Sequence, residues 1–351
     1  PADPLPFAPA RPADQRSPFV RLTELLGDTP PGKPVINLSV GEPQHPIPPF
    51  VGPILQANLK DFGRYPPNKG SARFCEAAAG WLDRRYKIAR PVDPATEVVV
   101  LSGTREGLFL AAISAQRFVK DRATVAIYFA SPSNPQGAVA SAEYLAKLVA
   151  LSRRFGFMIF SDECYSEIYS DAPPGGMLEH AGADFANVVV FHSLSKRSSL
   201  PGLRVGFAAG DRAFMKPYLE LRNVAAPQVP GPATEVAVTA YGDETHVEEN
   251  RQLYRLKFDL ADQIIGNRFG YVRPAGGFYL WLDVRQQGGD EVAALRLWRE
   301  GGVRVVPGSY AARVGADGLN PGEGYIRVAM VHDREQTAEA LHRIVAVLGG
   351  A

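Results

Sequence analysis

Five short apolar runs punctuate the middle of the chain: Val98–Leu101, Val125–Ala130, Phe157–Phe160, Val188–Phe191 and Val205–Ala209. None alternates with polar positions, and segments of helical period at about 105–121 and 141–155 lie between several of them. Continuous apolar runs of this length predict strands buried on both faces of a largely parallel sheet. The helical segments then serve as crossovers. Upstream, residues 19–26 read as a short helix and Pro34–Val40 as a short strand running into Gly41-Glu42-Pro43. Residues 71–87 repeat at helical period behind Ser71, a plausible N-cap. Downstream, Glu248–Ile265 is a long amphipathic segment. Strands are expected at Gly277–Leu282, Val303–Val306 and Tyr325–Met330, with helices starting near Asp290 and Asp333 and Gly301 as the stop of the first. The pattern predicts an α/β protein of two lobes: a large one over residues 46–245, and a smaller one from 1–45 and 246–351.

Composition narrows the class. At 351 residues the chain is too long for one simple core. A net charge of +1 gives no sign of nucleic acid or of an anionic membrane as partner. Cys75 and Cys164 are the only cysteines, which rules out a disulfide framework and suits a reducing, cytoplasmic setting. No apolar run approaches the ~18 residues of a membrane span. The proline-rich stretch Pro1–Pro18 lacks the apolar core of a signal peptide and reads as an extended arm lying on a partner subunit. Six histidines without paired spacing speak against a metal site.

Candidate chemistry lies after the strands, because open α/β sheets bind ligands beyond the carboxyl ends of their strands. Val188–Phe191 leads into His192-Ser193-Leu194-Ser195-Lys196, with Arg204 eight residues further on. A lysine just past a buried strand is poorly hydrated, which lowers its pKa and makes its amine a usable nucleophile. A solvated loop lysine is the commoner fate, so Lys196 is weighed by its neighbours. Ser193, Ser195 and Arg204 are donors of the kind that hold phosphate. An amine able to form an imine beside a phosphate cradle is what pyridoxal phosphate requires of a protein. Val98–Leu101 leads into Ser102-Gly103-Thr104-Arg105 at a helix start, either a plain cap or an anion site. Val125–Ala130 leads into Ser131-Pro132-Ser133-Asn134-Pro135-Gln136-Gly137, a turn from which Asn134 can donate a hydrogen bond. Phe157–Phe160 leads into Ser161-Asp162-Glu163-Cys164-Tyr165. A carboxylate at the end of a buried strand needs a cation or donors. The same strand end resembles the acidic motif of nucleotide hydrolases. The nearest phosphate loop, Gly27–Pro34, has proline where Ser or Thr should bind magnesium and is rejected.

Taken together, these residues resemble the pyridoxal-phosphate aminotransferases of fold type I, class I/II. The matching pieces are Gly41-Glu42-Pro43, Tyr65 in Tyr-Pro-Pro-Asn-Lys-Gly, Ser102-Gly103-Thr104, Asn134-Pro135-Gln136-Gly137, Asp162-Glu163-Cys164-Tyr165, Ser193-x-Ser195-Lys196 with Arg204, and Tyr325-Ile326-Arg327. They span nearly the whole chain in the family's order. The resemblance implies a three-layer fold with a mostly parallel central sheet plus a smaller α/β domain. It implies that Lys196 forms the imine with the cofactor and later moves the substrate proton, that Asp162 pairs with the pyridine nitrogen, and that Tyr165 and Asn134 hydrogen-bond the ring oxygen. It further implies that Gly103, Thr104, Arg105, Ser193, Ser195 and Arg204 hold the phosphate and that Tyr65 reaches the phosphate of a second subunit in a homodimer. Arg327, with the Gly41 backbone and Asn134, would clamp the carboxylate of an amino acid or 2-oxo acid substrate. The wording of Leu38–Pro46, Ser102–Phe109 and Ser193–Arg204 is closest to bacterial N-succinyldiaminopimelate aminotransferases of the lysine pathway. Aminotransferases of the aspartate, alanine or acylornithine type, and a carbon–sulfur β-lyase on the same fold, remain alternatives. Lys69, Arg73 and Arg105 are candidates for a distal substrate carboxylate, with a solvated surface role the better reading of Lys69 and Arg73.

The chain departs from the family in one place. Only 30 residues separate Gly103 from Asn134. The family carries more here, including an aromatic that stacks on the pyridine ring. A helix ending Phe118-Val119-Lys120-Asp121-Arg122 runs into Ala123-Thr124-Val125 with no Gly, Asn or Pro to stop it. A βαβ unit of ~30 residues is therefore expected to be missing between Arg122 and Ala123.

Overall fold

The five apolar runs lie in one sheet, and four of them point the same way. We label the strands β1 (Val98–Leu101), β2 (Ala126–Ala130), β3 (Met158–Asp162), β4 (Val188–Ser193) and β5 (Gly206–Gly210), and their order in the sheet is β1-β5-β4-β3-β2. β2, β3 and β4 pair in parallel, whereas β5 is antiparallel to both β4 and β1. The largely parallel sheet expected from the five runs is what forms, with β5 as its one reversed strand. The reason is the short connection: between β4 and β5 the chain makes only a helical turn, Leu194–Arg197, and a 3-10 turn, Pro201–Leu203. A parallel return needs a crossover of a dozen or more residues.

The structure is a computed structural model that describes residues 16–119 and 123–349. The proline-rich stretch before Arg16 and the junction at Arg122 lie outside the described residues. The chain divides into two compact units, a large one of Glu42–Arg255 with Pro274–Gly277, and a small one of the residues up to Gly41, Leu256–Arg273 and from Phe278 on.

In the large unit the sheet is covered on both faces except at β2, an edge strand whose residues are only partly buried, with Tyr128 54% exposed; the expected two-sided burial is corrected there. The helices that matter here are α1 (Ala72–Arg85), α2 (Thr104–Phe118), α3 (Ala142–Phe155), α4 (Arg212–Ala225) and α5 (Gly231–Gly242). Ser71 caps α1, its hydroxyl accepting from Phe74 N. One face packs Val98, Val100, Ile159, Val188, Val190 and Phe207 under α1 and α5. The other packs Val99, Leu101, Phe160, Val189 and Phe191 under α2 and α4. Because successive strand residues point to opposite faces, two covered faces demand unbroken apolar runs. Phe160 is fully buried against Phe191 and Phe214, so Phe160→Ala would cost about 3–5 kcal/mol. Arg222 of α4 fixes where α2 begins: it donates to Val100 O at 3.0 Å and pairs with Glu106 in the first turn of α2.

In the small unit β6 (Tyr279–Asp283), β7 (Val306–Pro307) and β8 (Tyr325–Ala329) form an antiparallel sheet in the order β6-β8-β7. Ile36–Asn37 pairs in parallel with Val303–Arg304. The expected single strand Val303–Val306 is therefore two short ones. Asp333 caps the last helix, accepting from Gln336 N at 2.8 Å. The helix Asp290–Gly301 stops one residue later than expected, at Gly302, whose φ of 66° suits glycine. No described helix is long and apolar enough to cross a membrane.

Candidate active site

Strand register brings the polar strand ends into two neighbouring rows. Leu101, Gly206 and Ser193 stand opposite one another across β1, β5 and β4, and Ala130, Asp162 and Phe191 across β2, β3 and β4. The segments that follow, Ser102–Thr104, Ser131–Gly137, Glu163–Tyr165 and Leu194–Lys196, therefore leave the sheet at one edge.

The first cluster there is a set of donors. Gly103 precedes α2 with φ 88°, a conformation that favours glycine. A Cβ at this position would lie 2.0 Å from Arg204 Nη2, so the guanidinium packs directly on bare backbone. Arg204 donates to Pro201 O at 2.8 Å and to Ser102 O at 3.3 Å, which aims its fork at the start of α2. The Ser193 hydroxyl donates to Ser195 Oγ at 2.9 Å and accepts from Ser195 N at 3.1 Å. A guanidinium, two hydroxyls and a helix N-terminus are complementary to a phosphate dianion. Arg105 is exposed in the first turn of α2.

The second cluster surrounds Cys164. Its N–H donates to Asp162 Oδ1 at 3.2 Å, and its sulfur lies 3.3 Å from Thr104 Oγ1. Burial pushes the Asp162 carboxyl up, against the opposing pull of hydrogen bonds from Cys164. Burial, with the neighbouring Asp162 charge, also pushes the Cys164 thiol well up, while Lys196 acts on it in the other direction. Asp162 and Lys196 thus lie within electrostatic reach of one sulfur atom. Lys196 is half-buried, with Nζ 5.9 Å from the centroid of the Tyr165 ring.

Behind this cluster lies a second carboxylate. Glu163 is 2% exposed; its Oε1 accepts from Ser161 Oγ and from Met177 N, both at 2.9 Å, and its Oε2 lies 3.4 Å from His192 Nε2. His192 is packed between Trp81 and Phe207.

Asn134 is exposed on the turn after β2. That turn is seated by Gly137, where a Cβ would meet Gly276 O and Pro274 Cβ at 2.5 Å. Tyr65, 95% exposed, stands at a surface cleft of about 210 Å³ lined by Arg64, Ser71 and Glu235 among others. Two of the candidates for a distal carboxylate are engaged elsewhere. Lys69 donates to Pro94 O at 2.9 Å and to Ala95 O, and Arg73 pairs with Glu235 at 2.6 Å.

Within the small unit, Arg327 on β8 is 9% exposed; it donates to Ser39 O at 2.7 Å and lies 4.7 Å from the centroid of the Tyr279 ring. Gly41 touches the same tyrosine so closely that a Cβ would sit 1.7 Å from its Oη. Tyr279 and the link between Cys164 and Thr104 went unnoticed in the sequence. Cys164 stood in the Asp162–Tyr165 motif, but nothing marked its thiol as a partner of α2.

The residues present fit pyridoxal phosphate. Arg204 fills the space a side chain at Gly103 would take, donors surround the start of α2, and the Lys196 amine stands beside the Tyr165 ring. The comparisons agree. A profile of the family described as Aminotransferase class I and II matches residues 33–125 and 115–344. The 4-dedimethylamino-4-oxo-anhydrotetracycline transaminase OxyQ of Streptomyces rimosus is 30% identical over 88% of this chain and 93% of its own. An LL-diaminopimelate aminotransferase of Desulforudis audaxviator is 27% identical over 94% and 95%. The crystal structure of an aminotransferase from Neisseria meningitidis Z2491 superposes with a TM-score of 0.88 at 32% identity, covering 95% of this chain and 98% of that one. With that family's motifs in order along the chain and its donor set gathered at one edge of the sheet, the chain belongs to the class I and II aminotransferases, pyridoxal 5′-phosphate-dependent enzymes that exchange amino groups between amino acids and 2-oxo acids.

Proposed function

We propose that the protein moves an amino group between glutamate/2-oxoglutarate and N-succinyl-2-amino-6-ketopimelate, as a succinyldiaminopimelate aminotransferase of lysine biosynthesis. The observation that carries the catalytic part is the placement of the half-buried Lys196 amine 5.9 Å from the Tyr165 ring, on the segment that follows Asp162 out of the sheet. The substrate part is supported by the wording of Leu38–Pro46, Ser102–Phe109 and Ser193–Arg204, and by a relative that is a diaminopimelate aminotransferase.

When bound, pyridoxal phosphate supplies the carbonyl that receives the amino group and the ring that takes up the electron pair left at the substrate α-carbon. Lys196 holds the cofactor through Nζ and moves the proton at that carbon. Asp162 would hold the ring nitrogen; its carboxylate, disfavoured by burial, would regain stability beside a cation. Tyr165 and Asn134 donate to the ring oxygen. Gly103, Thr104, Arg105, Ser193, Ser195 and Arg204 hold the phosphate. Tyr65, exposed at its cleft, reaches the phosphate of a second subunit in a homodimer. Arg327, with the Gly41 backbone and Asn134, takes the substrate α-carboxylate bidentately.

A panel of 2-oxo acids with glutamate as donor tests the assignment. The succinylated keto acid is expected to give the highest kcat/KM. A tenfold or greater preference for pyruvate or oxaloacetate, about 1.4 kcal/mol in transition-state binding, would overturn it.

A further inference from the structure

Asn250 lies on the helix Thr245–Ile264, in the part that belongs to the large unit, and is 7% exposed. Its Nδ2 donates to Lys196 O at 3.1 Å and to Arg197 O at 3.2 Å. Its Oδ1 accepts from Ser199 Oγ at 3.0 Å and lies 2.7 Å from His45 Nδ1. Valence fixes each direction. Carbonyls only accept, so the amide nitrogen faces them; the amide oxygen is then the acceptor, and His45 donates through Nδ1. A side-chain amide has two donor hydrogens and two lone pairs, and here all four are used. One turn earlier on the same helix, His246 Nε2 lies 2.8 Å from Ser198 Oγ, so the segment is held again at the next residue.

The two carbonyls belong to an element that cannot serve them itself. Leu194–Arg197 is a single helical turn, and the last carbonyls of a helix have no partner within it. Lys196 sits in that turn, with its amine 5.9 Å from the centroid of the Tyr165 ring. A lysine stem is long and flexible, so its amine is placed only as well as the backbone from which the stem departs. We propose that Asn250 is a positioning residue for Lys196: by donating to the carbonyls of Lys196 and Arg197 it fixes the turn that carries the lysine, and so sets where the amine stands. The role rests on the reading of Lys196 as the amine that takes the cofactor.

Wild-type protein, Asn250→Leu and Ser152→Ala are loaded with pyridoxal phosphate. Leucine has about the volume of asparagine and no charge, but neither donates nor accepts. Ser152 makes a bond of the same kind away from Lys196: it is fully buried, and its hydroxyl donates to Phe157 O at 2.5 Å, just before the amino end of β3. Its loss shows what a missing buried bond does to stability alone. Four quantities are read: the pH midpoint of the visible absorbance of the bound cofactor, the cofactor Kd, kcat and KM for glutamate, and the urea midpoint. Asn250→Leu is expected to move the pH midpoint by about half a unit or more and to weaken cofactor binding about tenfold. Its kcat should fall about tenfold with KM for glutamate within about threefold, the split expected when a reacting group is misplaced and substrate binding is kept. Ser152→Ala should lose stability and leave the pH midpoint, Kd and kcat at their wild-type values. A folded Asn250→Leu protein with the wild-type pH midpoint overturns the role, and so does a Ser152→Ala protein whose pH midpoint moves as far. Should Asn250→Leu not fold, Asn250→Ser, which is smaller and admits water, decides by the same midpoint. Wild-type protein whose borohydride-reduced cofactor is found on another lysine overturns the reading of Lys196 instead.

Discussion

Asp162 and Glu163 are neighbours in sequence and stand on opposite faces of the sheet, and the two faces treat a carboxylate differently. On the α1 and α5 side, Glu163 is closed in: Ser161 and Met177 donate to one oxygen, His192 stands at the other, and Trp81 and Phe207 wall the pair. Even Gly176 is fitted to it, since a Cβ there would come within 3.0 Å of Glu163 Oε2 and 2.7 Å of the Tyr86 ring. On the α2 side, Asp162 is held from Cys164 and is less completely enclosed than Glu163. A buried carboxylate enclosed by donors is costly to disturb, because removing a partner leaves an uncompensated group. One held from behind, with a face left open, is placed to meet something else.

The sharpest way to break this contrast is to remove the group that shares the open face. Lys196→Ala is expected to reduce transamination to background and to leave no cofactor attached after borohydride reduction, read by absorbance and intact mass; attached cofactor in that variant would end the assignment of Lys196. Asp162→Asn should keep the fold and lose roughly 10²–10³ in kcat/KM, the scale set by a placed charge opposite a developing one. Steady-state kinetics checks it, and a loss below tenfold would erase the difference between the two faces. Glu163→Gln should do the reverse. We expect a loss of about 1–3 kcal/mol of stability in urea unfolding, from a buried network left half met, with kcat/KM changed only a few-fold.

The smallest effect concerns pH. Burial raises the Asp162 carboxyl, so over the window between its ordinary and its raised value the folded protein holds a proton that the unfolded chain has given up. That contribution is present at low pH and is lost as pH rises through the raised value. The cofactor-free Asp162→Asn protein should therefore lose less stability than wild type across that window, measured as urea midpoints; parallel curves would contradict the burial of Asp162.

Much of the fold was legible because both faces of the sheet are covered, except at its β2 edge. Val98–Leu101 was bounded as observed, and the other four large-unit strands within a residue or two, because each is an unbroken apolar run with turn or helix signals beside it. The direction of β5 was not legible, since an apolar run looks the same in either direction; the short link from β4 carried the information. Gly301 and Gly302 both end a helix on paper, and only φ distinguishes them. At the site, the strand-end residues could be found by position alone, because polar side chains at the end of a buried strand stand out. The partners of Lys69 and Arg73 were not legible, because the carbonyls at 94 and 95 and Glu235 are 25 to 162 positions distant in the chain. Cys164 was missed for a related reason: its partner Thr104 is 60 positions away.

The seat of Arg204 on Gly103 has one more implication, for how this site could be lost. A single methyl at position 103 would claim the volume where the guanidinium now rests. Every cation and hydroxyl would survive in the sequence, and a search for missing ligands would find them all. The anchor for the anion would nevertheless be displaced, so an inactive descendant could pass for an intact enzyme in any inventory of charged and polar side chains.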